Sequence, residues 1–140
     1  PALLHEAIEL YRERFTPSAQ LDRPYVMLGI NVLVAHSDEQ AQAELEVTRR
    51  LVVKNLLRRG DGEPAEDVPD AVLLRSPQAA FVEQMFTYRA VGKPSTVSAY
   101  LEEFQARTAA DELITVHHTP SVSTRLRSVE LLAVAMGRLP

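Results

Sequence analysis

The sequence predicts one α/β domain spanning its 140 residues. Three observations carry this. The run Tyr25 to Ala35, YVMLGINVLVA, is the longest apolar stretch, and its Val and Ile content suits a parallel strand covered on both faces. Apolar residues at helical spacing flank it on both sides. The elements follow the order helix, strand, helix, helix, helix, strand, helix, which gives two parallel strands and about five helices.

The first helix spans residues 1–15, with Leu4, Ile8, Tyr11 and Phe15 on one stripe. Thr16-Pro17-Ser18 stops it, because proline disfavours helix in the residue before it. In the strand, Val26, Leu28, Ile30, Val32 and Val34 form one apolar row, expected to pack on helices. Tyr25, Met27, Gly29, Asn31, Leu33 and Ala35 form a mixed row, suited to a barrel interior or a cleft floor. Ser37 is placed as an N-cap with Gln40 completing a capping box, and Asp38 and Glu39 suit the helix dipole. That helix is expected to reach about Arg58, burying Ala41, Leu45, Thr48, Val52 and Leu56, and to break at Gly60. Residues 61–75, opening DGEPAEDVPD, read as an exposed acidic loop. Ser76-Pro77 opens a helix through Ala90 with Phe81, Met85 and Tyr88 as its core stripe. Val91-Gly92 ends it, and a helix over 94–108 turns Val97, Leu101 and Phe104 inward. Asp111 to His117, DELITVH, is the second strand. The last helix, about Ser121 to Met136, carries Val122, Leu126, Val129, Ala133 and Met136 on one face.

Composition narrows the function. Hydrophobic residues make up 46% and charged residues 24%, a globular balance. No stretch approaches the ~18 consecutive apolar residues of a bilayer span, and no basic-then-apolar leader is present, so no membrane partner is expected. The absence of cysteine excludes thiol catalysis and thiolate metal sites and agrees with a cytoplasmic location. A net charge of −4 without a long basic run argues against nucleic acid. There is no glycine-rich phosphate loop, nucleophile elbow or HExxH pattern.

Four stretches, in order and covering nearly the whole chain, resemble the C-terminal part of the bacterial-luciferase-like, flavin-dependent monooxygenases. They are Tyr11 to Leu21, YRERFTPSAQL, leading through Asp22-Arg23-Pro24 into the strand and the helix start Ala35-His36-Ser37-Asp38-Glu39; Val91-Gly92-Lys93-Pro94-Ser95-Thr96-Val97; Ala110-Asp111-Glu112-Leu113-Ile114; and Arg125-Leu126-Arg127-Ser128-Val129-Glu130-Leu131-Leu132-Ala133. His36-Ser37 stands where that family has Asp-Thr. Lys93 stands where it has Thr, which loses a capping hydroxyl that Ser95 replaces in part. The resemblance implies the C-terminal segment of a (β/α)8, TIM-type barrel, with Tyr25–Ala35 as the seventh strand and Asp111–His117 as the eighth. It also implies reduced flavin mononucleotide (FMN), or a deazaflavin, as cofactor and a small organic substrate. Most of the flavin site would lie in a missing N-terminal half.

A barrel site sits at the C-terminal ends of the strands. Those ends hold His36, Ser37, His117 and His118, and histidine can move protons near neutrality. Strand parity points His117 into the mouth and leaves His118 open; His36 reads as surface. Asn31 either lines the interior near a ligand or is a buried amide satisfied by its neighbours. Ser37 reads as a cap rather than an anion site, because Asp38 and Glu39 would repel a phosphate. Glu112 reads as a partner for Arg125 or Arg127. Adjacent strand residues face opposite ways, so His117-His118 is not a metal pair. The leading reading is part of a flavin-dependent monooxygenase. The alternative is a non-catalytic α/β interaction module that assembles through strand edges or helix faces. A third reading is a small relative that forms a homo-oligomer, two copies building one flavin site.

Overall fold

A computed structural model describes residues 2–58, 69 and 75–138. Its described elements are α1 (Ala2–Arg14), β1 (Met27–Val34), α2 (Asp38–Arg58), α3 (Pro77–Met85), β2 (Arg89–Gly92), α4 (Pro94–Thr108), β3 (Glu112–Val116) and α5 (Val122–Ala135). The expected break at Gly60 and the acidic loop lie outside the described residues, apart from Pro69 and Arg75.

The strands form one parallel sheet in the order β2-β1-β3. β3 pairs with the N-terminal part of β1, from Met27↔Glu112 to Asn31↔Val116. β2 pairs with its C-terminal part, from Asn31↔Arg89 to Val34↔Gly92. The third strand corrects the sequence expectation of two. Residues 77–90 are not one helix. α3 stops at Met85, where the Phe86 N–H bonds back to Val82 O and the Thr87 N–H to Gln84 O. Asn31 then holds the reversal: its amide nitrogen donates to Met85 O at 2.7 Å and Tyr88 O at 3.2 Å.

The apolar row of β1 packs as expected. Ile30, Val32 and Val34 are buried with Ala90 of β2, Val97, Leu101 and Phe104 of α4, and Leu132 of α5. Each of these side chains other than Ala90 contributes roughly 1.5–3 kcal/mol by leaving water. Beneath this layer Ile8 of α1 packs with Val26 and Ala110. The mixed row divides. Leu33 and Ala35 are buried under Ala41, Leu45 and Val53 of α2, Ala79 and Val82 of α3, and Phe86 just past its end. Met27 and Gly29 remain exposed, as do Ile114 and Val116 of β3. The C-terminal half of β1 is therefore covered on both faces, and the N-terminal half on one.

Two helical stripes face the other way from expectation. On α3, Phe81 is 53% exposed and Met85 is also exposed, while Ala79 and Val82 are buried. On α5, Val122 is 69% and Leu126 59% exposed, with Val129 and Met136 exposed beside them. The buried residues of α5 are Ser128 and Leu132.

Helix ends account for most local geometry. Ser37, Ser76 and Ser121 cap α2, α3 and α5 through their hydroxyls. Gln40 reaches back to the His36 N–H, one residue before the cap. Lys93 begins α4 without a side-chain cap bond. Asp38, not Ser95, supplies the missing acceptor: its Oδ1 takes the Lys93 N–H at 2.9 Å. At the far end of α4, Ala109 adopts a left-handed conformation, and the Arg12 guanidinium donates to Ala109 O at 2.6 Å.

Candidate functional site

The C-terminal ends of the strands bring Ala35, Gly92 and His117 to one side of the sheet, with the N-termini of α2, α4 and α5 following them. At Gly92 the chain passes so close to α2 that a Cβ would stand 2.5 Å from Asp38 Oδ1 and 2.9 Å from Thr96 Cγ2. Hydrogen bonds from the Lys93 N–H, then from Thr96, hold the Asp38 carboxyl below its usual range. Asp38 is thus fixed between two helices. A second tie crosses the same end: the Arg127 guanidinium of α5 grips both oxygens of Glu44 on α2, at 2.6 and 2.8 Å. Gln40 donates to the same carboxylate.

The five residues singled out from sequence do not form one cluster. Asn31 and His118 lie together, lining a small gap with Leu33, Leu45, Phe86 and Arg89. The His118 ring meets Phe86 edge to face at 5.4 Å between centroids. Burial, then the charge of Arg125, pushes its pKa below the ordinary histidine value, which favours the neutral ring. Asn31 is committed to Met85 and Tyr88, the structural alternative left open for it. His36 is exposed and Ser37 is an N-cap.

His117 turns away from the face expected of it. It follows Leu113 and Thr115 on the helix side, and its Nδ1 lies 2.7 Å from Ser128 Oγ. The parity was sound, but the row that contains His117 is the row facing α4 and α5. Its pKa is lowered by burial and then by Arg125. His117 borders a cleft of about 690 Å³ between β3, α4 and α5, walled by Leu101, Leu113, Val129 and Leu132. Glu112 pairs with neither arginine; it accepts from the Tyr25 hydroxyl at 3.0 Å.

Sequence reasoning missed Ser128 and the Glu44–Arg127 tie. Ser128 offered one signal, a small polar residue four before Leu132 on the same helical face, which marks a buried hydroxyl with a partner. Glu44 and Arg127 are 83 residues apart, and no local pattern joins them. Among the described residues no group of three acidic or histidine side chains is placed to hold a metal ion, and no helix is long and apolar enough to cross a membrane.

No protein-family model matches the chain. Individual proteins do. It is 36% identical over 134 residues to the Bacillus subtilis (strain 168) protein YvbT, covering 95% of this chain and 40% of that protein. It is 32% identical over 133 residues to a luciferase-like monooxygenase of Escherichia coli (strain K12), covering 94% and 39%. Among solved structures, apo-MsnO8 superposes with a TM-score of 0.68 at 28% identity, over 99% of this chain and 42% of that one. The four stretches quoted above, the parallel sheet and these relatives agree: the chain belongs to the luciferase-like monooxygenase family and spans about two-fifths of the length of the curated relatives it matches.

Proposed function

We propose that the chain is the C-terminal segment of a (β/α)8 barrel in a flavin-dependent monooxygenase, with β1 and β3 as the seventh and eighth strands. The observation that carries this is the exposed half of the sheet. Met27, Ile114 and Val116 face solvent around Gly29. Parallel sheets are ordinarily covered on both faces, and further strands closing into a barrel would enclose these side chains. β2 pairs with residues 31–34 of β1, which among the described residues leaves the edge of 27–30 unpaired on that side. Among the described residues the outer edge of β3 is unpaired as well.

Reduced FMN or a deazaflavin is the cofactor of this reading, and the residues present fit part of it. A Cβ added at Gly29 would meet nothing within 4 Å, so the centre of the apolar face is open to a flat ring. His118, neutral and at the C-terminal rim, suits a polar edge. The flavin would supply electrons to dioxygen. This chain would provide an apolar floor, exclude water from it and offer one ring nitrogen for a hydrogen bond. Asn31 and Ser37 are committed to the fold and take no part. The substrate is a small organic molecule.

Titrating the isolated chain with FMN tests the segment reading. The expected result is binding weaker than micromolar, since half the enclosure is absent; micromolar or tighter binding overturns it. Exchanging the matched 133 residues of the Escherichia coli relative for this chain tests the activity. The chimera is expected to bind flavin and consume oxygen when reduced flavin is supplied. A folded chimera that binds no flavin overturns the assignment.

A second reading has its own observation. The outward apolar stripe of α5 and the open edge of β3 suit an interaction module that assembles without catalysis. Light scattering separates the two: a defined oligomer of the isolated chain supports the module.

A further inference from the structure

Ser128 joins three elements at one oxygen. It lies on α5 and is fully buried. Its Oγ accepts the Val34 N–H at 2.8 Å, at the end of β1 beyond the last residue paired with β3. The same Oγ lies 2.7 Å from Nδ1 of His117, just past the end of β3. The serine hydroxyl therefore stands in for the backbone acceptor that β3 no longer offers.

The direction of the second bond follows from the proton count. A buried serine or threonine in a helix often donates to the carbonyl four residues earlier, as Thr48 and Thr108 do here. Ser128 makes no such bond among the described residues. Its hydroxyl proton then has a single acceptor, His117 Nδ1, and the ring must carry its proton on Nε2. Protonating the ring puts a second proton on Nδ1, facing Oγ. Oγ can accept both N–H groups, but the hydroxyl proton is left inside the protein without a partner.

We propose that His117, Ser128 and the Val34 N–H form a pH-sensitive latch that pins α5 across the ends of β1 and β3 when His117 is neutral and is weakened when His117 is charged. The surroundings favour this direction. β1 presents only apolar side chains to this layer. α5 brings Arg125, which opposes a positive ring, while Arg127 is occupied by Glu44. α4 brings Glu102, Arg138 follows α5, and Asp111 and Glu112 open β3, all lining the same cleft. Asp111 and Glu112 lie five or six residues back along the strand, roughly 16–20 Å away and beyond the ~8–10 Å over which salt leaves charges felt. They do not rescue the cation.

A histidine whose folded pKa lies below its unfolded value leaves stability whole above the unfolded value, about 6.5. Stability falls as pH drops through that value and levels off below the folded pKa. His118 shifts the same way, so the variants must separate the two.

The test uses the whole chain. Imidazole nitrogen NMR at neutral pH is expected to find Nδ1 of His117 bare and Nε2 protonated. Thermal unfolding is followed from about pH 8 to pH 5, across the histidine range. The parent midpoint is expected to fall on acidification. His117→Asn keeps an acceptor near the Nδ1 position without a titrating proton; it should hold the neutral-pH midpoint and flatten the acid slope. Ser128→Ala should lower the neutral-pH midpoint and return His117 toward ordinary titration. An Nδ1-protonated ring in the parent, or an unchanged acid slope in His117→Asn, overturns the latch. Both readouts stand if Ser128→Ala fails to fold.

Discussion

Gly92 shows how one residue can fix the relation of two helices. Its neighbours leave no room for a methyl group, because Asp38 Oδ1 must come close to take the Lys93 N–H. In Gly92→Ala either the carboxylate withdraws and the Lys93 N–H at the start of α4 loses its Asp38 acceptor, or the backbone shifts. Overpacking of this kind costs about 1–3 kcal/mol. Urea unfolding of the variant should show a lower midpoint with an unchanged slope; an unchanged midpoint would mean that Asp38 moves away at no cost. Much of this scale was legible beforehand. The cap at Ser37 follows from a hydroxyl residue set just before a helical stripe, and Ser76-Pro77 marks the start of α3; the cap at Ser121 comes from the structure, since the sequence reading places that residue inside the helix. The local sequence offers Ser95 as the acceptor near Lys93, and the structure supplies one from Asp38, 55 positions away. Strand parity places His117 in its row with Leu113 and Thr115 but not on the helix side where it lies, because parity separates two faces without saying which helices cover them.

At the level of elements, helix positions were readable and their burial was not. α4 matches its expected span, and its stripe Val97, Leu101 and Phe104 is buried. On α5 the periodicity finds a real apolar stripe, but the stripe is left largely exposed, with Val129, Ala133 and Met136 bordering the cleft, while the core is met by Ser128 and Leu132. Helical spacing reports that apolar residues share a face. It does not report whether anything in the same chain covers that face. β2 was lost for another reason: four residues, Arg-Ala-Val-Gly, carry too little alternation to compete with the helix that precedes them. The orientation of α5 has a direct test. Leu132→Ala should cost roughly 2–5 kcal/mol, as buried leucine truncations do. Leu126→Ala, at 59% exposure, should stay within about 0.5 kcal/mol. Chemical denaturation of the two variants side by side distinguishes them, and a reversed order would mean that the expected stripe is the buried one.

For the whole molecule, the α/β class and the parallel pairing of β1 with β3 were legible because a run buried on both faces has few other solutions. The fate of the mixed row was not, since it depends on what packs over it. Leu33 and Ala35 found α2 and α3, whereas Met27, Ile114 and Val116 found nothing among the described residues. Those three side chains with Gly29 make one apolar surface beside strand edges that are unpaired among the described residues, and such surfaces promote association. Replacing Met27 and Val116 together by Gln isolates that effect. Glutamine leaves the net charge at −4, so altered repulsion between molecules plays no part. Both positions are exposed in the isolated chain, so the folded state loses little packing and the unfolding midpoint should be nearly unchanged. Light scattering over a concentration series should find less association in the double variant than in the parent, together with weaker binding of a hydrophobic dye. In the chimera with the Escherichia coli relative the same pair should instead be destabilising, because the barrel reading buries both side chains against the added strands. Equal effects in the two settings would show that this face stays open to water in the longer protein, and the barrel reading would fail with it.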